Sequence, residues 1–515
     1  MDRHAPGRNG QNVVFVVMDT VRKDRLSAYG YDRPTTPGLE TFAEEARRYE
    51  EAVAPAPWTL PVHASMFTGL YPSQHGATQE NPYLEGASTL AESLSQAGYA
   101  TACYSSNAWI TPYTRLTDGF THQDNFFEVM PGDVLSGPLA RAWKVMNDNE
   151  TLRTLADGLV SLGNRAHEYF AGGEGADSKT PAVIDRTIEF VAESQQPYFA
   201  FVNLMDAHLP YHPPAEHKVE FAPGVDPSTV CQNSKEYNCG ARDIGAEEWE
   251  AIRGLYDAEI RHVDSEITRL FEWLRANDEW EDTLVVVCSD HGELHGEHDL
   301  YGHEFSIYDP LVNVPLMVKH PEIDTGVDTE TQVELIDLYH TILDHADSEA
   351  TPGGTPLDRD RSLLSGSYRA FEGDANAFVE YYRPVVELNQ LESKADAAGI
   401  DLDRNSRFYS RMRAARRPAG KYIRNERIAD EAYRLDADPG ETEDLLNEGS
   451  AANGSDAGDS GDDGDADGEI EAIEGVLRDF EARVGGSWDE VSEEDVLDDM
   501  GEDARRRLED LGYIE

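Results

Sequence analysis

The sequence predicts an α/β protein: a doubly wound, mostly parallel sheet flanked by helices, with a small antiparallel sheet subdomain at the C-terminal end. Three observations carry this. Four apolar runs, at 12–20 (NVVFVVMDT), 99–107 (YATACYSSN), 198–211 (YFAFVNLMDAHLPY) and 283–293 (TLVVVCSDHGE), lack the alternation of a half-exposed strand. They therefore read as strands buried on both faces, as in a parallel sheet. Between them lie amphipathic helical patterns, and alternating strands and helices build layered α/β domains. Beyond residue 348 the texture changes to short strand-like segments separated by loops.

Taken in order, the run at 12–20 closes on Asp19 and Thr20, and PGLETFAEEARRY (37–49) has helical spacing. STLAESLSQAG (88–98) is a second helical pattern, and 247–277 is a long third one. VELIDLYHTILDHA (333–346) closes the α/β part as a helix. AFVEYY, RFYSRMRAAR, GKYIRN and EAYRLD then read as strands of a small antiparallel sheet. Residues 446–470 are low-complexity and dominated by Gly, Ala, Ser and Asp, and are expected to be a disordered acidic linker. Helical periodicity returns at 471–515. The expected organisation is a catalytic α/β domain over 1–347, a small-sheet subdomain over 348–445, the linker, and a helical tail.

All four apolar runs end in polar or ionisable residues. In a doubly wound sheet, ligands bind outside the carboxyl ends of the strands, so these ends mark the candidate site. Asp19, Asp290 and His291 converging there make a plausible divalent-cation site. A single Asp at a strand end is ordinarily a turn or cap residue. In APWTLPVHASMFTGLYPSQHG (56–76), Thr59 and His63 precede an apolar helical run. A hydroxyl there is usually a cap, but a helix N-terminus also favours an anionic ester.

The 515 residues carry 100 acidic against 43 basic side chains, a formal charge of −57. Such a surface repels nucleic acid and anionic membranes. Acidic residues run through the whole chain, which resembles the salt-adapted proteins of halophilic archaea, so the fold is expected to loosen at low salt. Four cysteines are too few for a disulfide framework. Cys103 and Cys288 read as core residues, and Cys231 and Cys239 as a reduced pair. The N-terminus has no signal-peptide core and no run is long enough to span a membrane, so a cytoplasmic location is expected. Nothing in the sequence sets an oligomeric state.

NVVFVVMDTVRKDRLSAYGY, WTLPVHASMFTGLYPSQHG, MDAHLPYHPP, YDAEIRHVD, the stretch 283–318, ELIDLYHTILD and EAYRLDADPGETEDL follow one another as in sulfatase-like proteins of the alkaline phosphatase superfamily. The resemblance spans nearly all of 12–445 and implies a metal-dependent ester hydrolase. It assigns Asp19, Asp290 and His291 as metal ligands. Thr59 takes the first position of the C/S-x-P-x-R nucleophile motif, here TLPVH, and His63 replaces its Arg. His208 in DAHLPY matches the substrate-side histidine, and His303 in LYGHE stands where many sulfatases have a Lys. His75, His295 and His298 read as supporting or loop residues.

Two departures matter. Sulfatases convert Cys or Ser to formylglycine, so no formylglycine is expected at Thr59. Unmodified Thr resembles the nucleophile of phosphodiesterases, phosphonate hydrolases and phosphoglycerol transferases. Thr20 stands where sulfatases commonly carry a second metal-binding Asp. One divalent ion held by Asp19, Thr59, Asp290 and His291 is expected, Mn²⁺ or Zn²⁺ ahead of Ca²⁺ or Mg²⁺. The substrate is then a small-molecule, glycan or lipid head-group ester of sulfate or phosphate. A group transferase using the same residues, or a degenerate binding protein, remains open.

Overall fold

The computed structural model describes residues 12–79, 81–125, 178–368, 376–446 and 463–484. The main sheet is assembled from β1 (Asn12–Met18), β2 (Arg47–Val53), β3 (Ala100–Ser105), β4 (His122–Asn125), β5 (Tyr198–Leu204) and β6 (Thr283–Cys288). A short ribbon, β7 (Leu294–His295) with β8 (Tyr301–Gly302), precedes β9 (Asn313–Lys319) and β10 (Gly326–Glu334). The eight-stranded order is β10-β2-β9-β6-β1-β5-β3-β4. Every pairing is parallel except those of β9 with β2 and β6.

The four apolar runs are β1, β3, β5 and β6, side by side at the sheet centre. Their continuous hydrophobicity has a direct cause, because both faces are covered. Val13, Phe15 and Val17 of β1 pack toward the helices Thr59–Thr68 and Asp337–His345, in a core that includes Phe67, Phe201, Leu338 and Ile342. Val14, Val16 and Met18 face the opposite way, into a core with Ile252, Leu255, Ile260 and Ile267 of the long helix Ala246–Ala276.

Several boundaries differ from the pattern in the sequence, among them the strand expected from Arg407, which spans only Met412–Arg416. The helix starting at Pro37 stops at Ala43, and Arg47, Arg48 and Tyr49 belong to β2, where they pair with β9 and β10. The helix expected from 333 starts at Asp337, because 333–334 complete β10. Asp463–Val484 is helical, so 463–470 are not linker; 447–462 and 485–515 fall outside the described residues, as do 126–177.

The C-terminal sheet consists of β11 (Ala377–Tyr381), β12 (Met412–Arg416), β13 (Lys421–Asn425) and β14 (Glu431–Tyr433), all antiparallel. A helix not read from sequence, Val385–Ala398, connects β11 to β12. One sheet face packs on Leu294, Ile307, Leu311 and Val312 of the main domain. The other is covered by Ile470, Ile473, Leu477 and Phe480 of the tail helix, with Phe480 stacked on Phe378 at 4.0 Å. A buried ionic cluster also ties the two parts. Arg416 reaches Asp309 and Glu51 at 2.7 Å each, and Lys421 reaches Asp309 at 3.0 Å and Glu441 at 2.8 Å. Among the described residues no helix is long and apolar enough to cross a membrane, and all four cysteines are buried and unpaired.

Candidate active site

β1 and β6 are parallel neighbours, so Asp19 and the Asp290-His291 pair leave the sheet side by side at its carboxyl edge. One ligand atom from each of the three residues lies within 4.8 Å of the others, and all three are fully buried. Asp19 Oδ2 accepts from Asn107 Nδ2 at 2.8 Å and Asn203 Nδ2 at 3.1 Å, while Asp19 Oδ1 has no partner. Asp290 Oδ1 accepts from the Thr20 amide at 3.2 Å and the His291 amide at 2.9 Å, and Asp290 Oδ2 has none.

Burial lifts the Asp290 carboxyl to about 7, and burial followed by repulsion from Asp290 raises Asp19. His291 is pushed down to about 3 by burial, which keeps it neutral. Its Nδ1 donates to the Gly292 carbonyl at 3.0 Å, leaving the Nε2 lone pair for a ligand. Two buried carboxylates with one orphaned oxygen each, beside a free imidazole nitrogen, fit a divalent cation, since unpaired buried charge is costly.

The turns behind this cluster are specific. Thr20 adopts the left-handed conformation (φ 59°), unusual for a β-branched residue. Tyr256 holds it by donating to the Thr20 carbonyl at 2.7 Å, and the Thr20 hydroxyl donates to the Asp19 carbonyl at 2.7 Å. That side chain is engaged with backbone, away from the role of a second acidic ligand. At Gly292 an added Cβ would fall 2.0 Å from the Pro310 carbonyl oxygen, so the turn after His291 admits glycine alone.

Thr59 opens the helix Thr59–Thr68, whose N-cap is Trp58, so its hydroxyl makes no capping bond. Thr59 Oγ lies 3.4 Å from His291 Nε2 and accepts from Asn107 Nδ2 at 3.3 Å. Thr59, His208 and His303 line one cavity of about 340 Å³, together with Trp58, Asn107, Trp109, Met205 and Lys235. His303 Nδ1 faces Glu293 Oε1 at 3.1 Å, and its ring lies 4.5 Å from that of His291 and 5.3 Å from that of His208. Burial lowers His303 and raises Glu293 to about 8. His208 donates through Nδ1 to the Leu209 carbonyl at 2.6 Å, which leaves Nε2 free.

His63 is placed differently. It lies behind Thr59, outside the cavity lining, with Nδ1 donating to the Thr59 carbonyl at 2.9 Å and its ring edge-on to Phe201. Burial drives it down to about 3, so it is neutral and does not supply the positive charge of the Arg it replaces. His75 bonds Ser65, His295 bonds Tyr211 and His298 stacks on Tyr308; none of them lines the cavity.

Asn107, Asn203, Lys235, Glu293 and Glu304 were not singled out in the sequence. The run 99–107 ends in polar residues, which marks the position of Asn107 but not its role.

The Sulfatase family model matches residues 11–348. The chain belongs to the sulfatase family. Among its relatives, an uncharacterized sulfatase, YidJ, of Escherichia coli is 24% identical, over 85% of this chain and 83% of its own length. The choline-sulfatase of Rhizobium meliloti is 22% identical, over 92% and 90%. Among solved structures, a phosphonate monoester hydrolase of Agrobacterium radiobacter superimposes with a TM-score of 0.64 at 19% identity, covering 92% of this chain and 96% of that one. The fold is that of these enzymes, and this sulfatase-family chain is an ester hydrolase by class.

Proposed function

We propose that this sulfatase-family protein is a metal-dependent hydrolase of sulfate or phosphate esters, with Thr59 as nucleophile and a preference for phosphodiester- or phosphonate-type substrates. The observation that carries the reading is the Thr59 hydroxyl. It makes no capping bond, stands at a helix N-terminus beside His291 Nε2 and Asn107, and faces a cavity lined by two further histidines.

Asp19, Asp290, His291 and Thr59 would hold the ion, a set of one nitrogen and three oxygen donors that suits Mn²⁺ or Zn²⁺. When bound, such an ion supplies Lewis-acid charge beside the ester oxygens and favours the ionised hydroxyl. Asn107 fixes the Thr59 oxygen and one oxygen of Asp19 with a single amide. The helix N-terminus favours the anionic ester. Thr59 Oγ, its proton lost to solvent, bonds to phosphorus or sulfur as the bond to the leaving alcohol breaks. His208 or His303 gives that oxygen its proton, a step worth about 10²–10⁴-fold. Water then releases the threonine ester. A methyl-bearing Thr, not Cys or Ser, is what sets the preference away from formylglycine-dependent sulfate cleavage. The acidic composition supports a salt-adapted setting.

The test is a panel of aryl sulfates, phosphates, phosphodiesters and phosphonates in high salt with Mn²⁺, Zn²⁺, Mg²⁺ or Ca²⁺. Thr59→Ala is expected to lower turnover of the preferred ester at least about 10³-fold. Wild-type turnover in that variant would refute the role. Product analysis with an added acceptor alcohol separates hydrolysis from transfer.

A further inference from the structure

We propose that the cavity sorts leaving groups by charge: it takes the alcohol half of a singly charged ester, neutral or ammonium-bearing, and turns away alcohols with a second acidic group. The inference rests on Thr59 being the reacting hydroxyl, because that places the remainder of the cavity on the leaving-group side.

Past Thr59, Asn107 and the two histidines, the charged lining consists of Lys235, Glu304 and Glu387. Lys235 is already engaged: its ammonium donates to Glu304 Oε1, and both side chains are largely buried, at 14% and 7% exposure. The second oxygen of Glu304 has no hydrogen-bond partner. Glu387 accepts at 2.5 Å from the neutral Gln79 amide and shares the field of the single Lys235 ammonium with Glu304, while burial raises its pKa. Lys235 also has little freedom to serve an incoming anion. Its short helix, Ser234–Asn238, is clamped to the helix Val385–Ala398 that carries Glu387, through Glu236 and Lys394 at 2.7 Å.

The cavity thus presents two carboxylates against one ammonium, between the aromatic walls of Trp58, Trp109 and Tyr381. Aromatic faces attract ammonium groups and are indifferent to neutral ones. One added like charge about 8 Å away, at an effective dielectric of about 20, lowers binding about 30-fold. Mobile salt screens this poorly in an enclosed space.

The experiment uses three phenols of matched length: 4-ethylphenol, tyramine and 3-(4-hydroxyphenyl)propionate. Each is titrated into the full chain by tryptophan fluorescence, and each is supplied as its sulfate and phenylphosphonate ester. The neutral and ammonium members are expected within about fivefold of each other, and the carboxylate at least about tenfold weaker, in binding and in kcat/KM. Glu387→Gln is expected to narrow the carboxylate-to-neutral ratio at least about threefold. Equal or better binding of the carboxylate, an unchanged ratio in Glu387→Gln, or no binding by any phenol overturns the proposal. If the phenols bind in the expected order but no ester is cleaved, the hydrolase reading fails and the charge sorting stands. If esters are cleaved without that order, the reverse holds.

Discussion

Replacing Asn107 by Ala removes one amide that donates to Asp19 Oδ2 at 2.8 Å and to Thr59 Oγ at 3.3 Å. Asp19 keeps Asn203 at 3.1 Å as its other donor, so the carboxylate stays partly satisfied, while the Trp109 amide loses Asn107 Oδ1 at 2.8 Å and the turn loosens locally. Thr59 Oγ loses the group that fixes its direction. A hydrogen bond to a charged acceptor contributes about 1.5–3 kcal/mol, which corresponds to a loss of about 10- to 150-fold in kcat/KM. The assay is kcat/KM on the preferred ester of the panel, with thermal melting to confirm folding and calorimetric titration of Mn²⁺ or Zn²⁺ to follow the ion. Asn107→Asp should lose at least as much, because it adds a carboxylate beside Asp19. If Asn107→Ala keeps kcat/KM within about twofold of wild type with melting unchanged, the amide does not position the hydroxyl.

Three further outcomes are expected. Glu297 is held down to about 2 by Arg22, which outweighs burial, whereas the ordinary value is 4.5. Because the folded value is depressed, its contribution is present above about pH 4.5 and lost as pH falls toward 2, amounting to at most about 3 kcal/mol. Denaturant unfolding of wild type and Glu297→Gln should therefore differ at pH 7, and the gap should shrink steadily as pH falls from about 4.5 through about 2; a gap of unchanged size over that range contradicts this. Lys421→Met leaves buried Asp309 and Glu441 without their shared cation and should cost about 3–5 kcal/mol. Adding Glu441→Gln should restore part of that loss, and strictly additive losses would argue against coupling. Finally, a formal charge of −57 repels itself across about 10 Å at 0.1 M salt but only about 3 Å at 1 M. The melting temperature should rise by several degrees from millimolar to molar KCl, and a flat response would remove the salt-adaptation reading.

The central strands were legible because strands covered on both faces must be apolar throughout, and β1, β3, β5 and β6 are. The outer strands were not. β2 (RRYEEAV) and β10 (GVDTETQVE) carry charges on partly exposed positions, so β2 merged with the preceding helical pattern and β10 with the following one. Three strands of the small sheet stood out by their Tyr, Phe and Ile content, and β12 (MRAAR) only by the RFY turn before it, while Val385–Ala398, rich in polar residues, showed no clear stripe. Within the site, Asp19, Thr59, Asp290 and His291 could be picked out because strand ends and a family motif mark them. Asn107 and Lys235 could not, since a lone amide or amine has no spacing to betray it. His63 shows the opposite limit: its motif position was plain, yet only the structure shows it buried and neutral, packed on Phe201 with Nδ1 3.8 Å from Asp290.

The parallel pairing of β1 with β6 joins residues about 270 positions apart, and Asp19 meets Asp290 only through it. Loop closure over that span must come before any local reward. An emerging polypeptide therefore carries Asp19 and Thr59 long before Asp290 and His291. A chain that stops short of β6 has neither Asp290 nor His291, so the buried three-residue cluster cannot assemble.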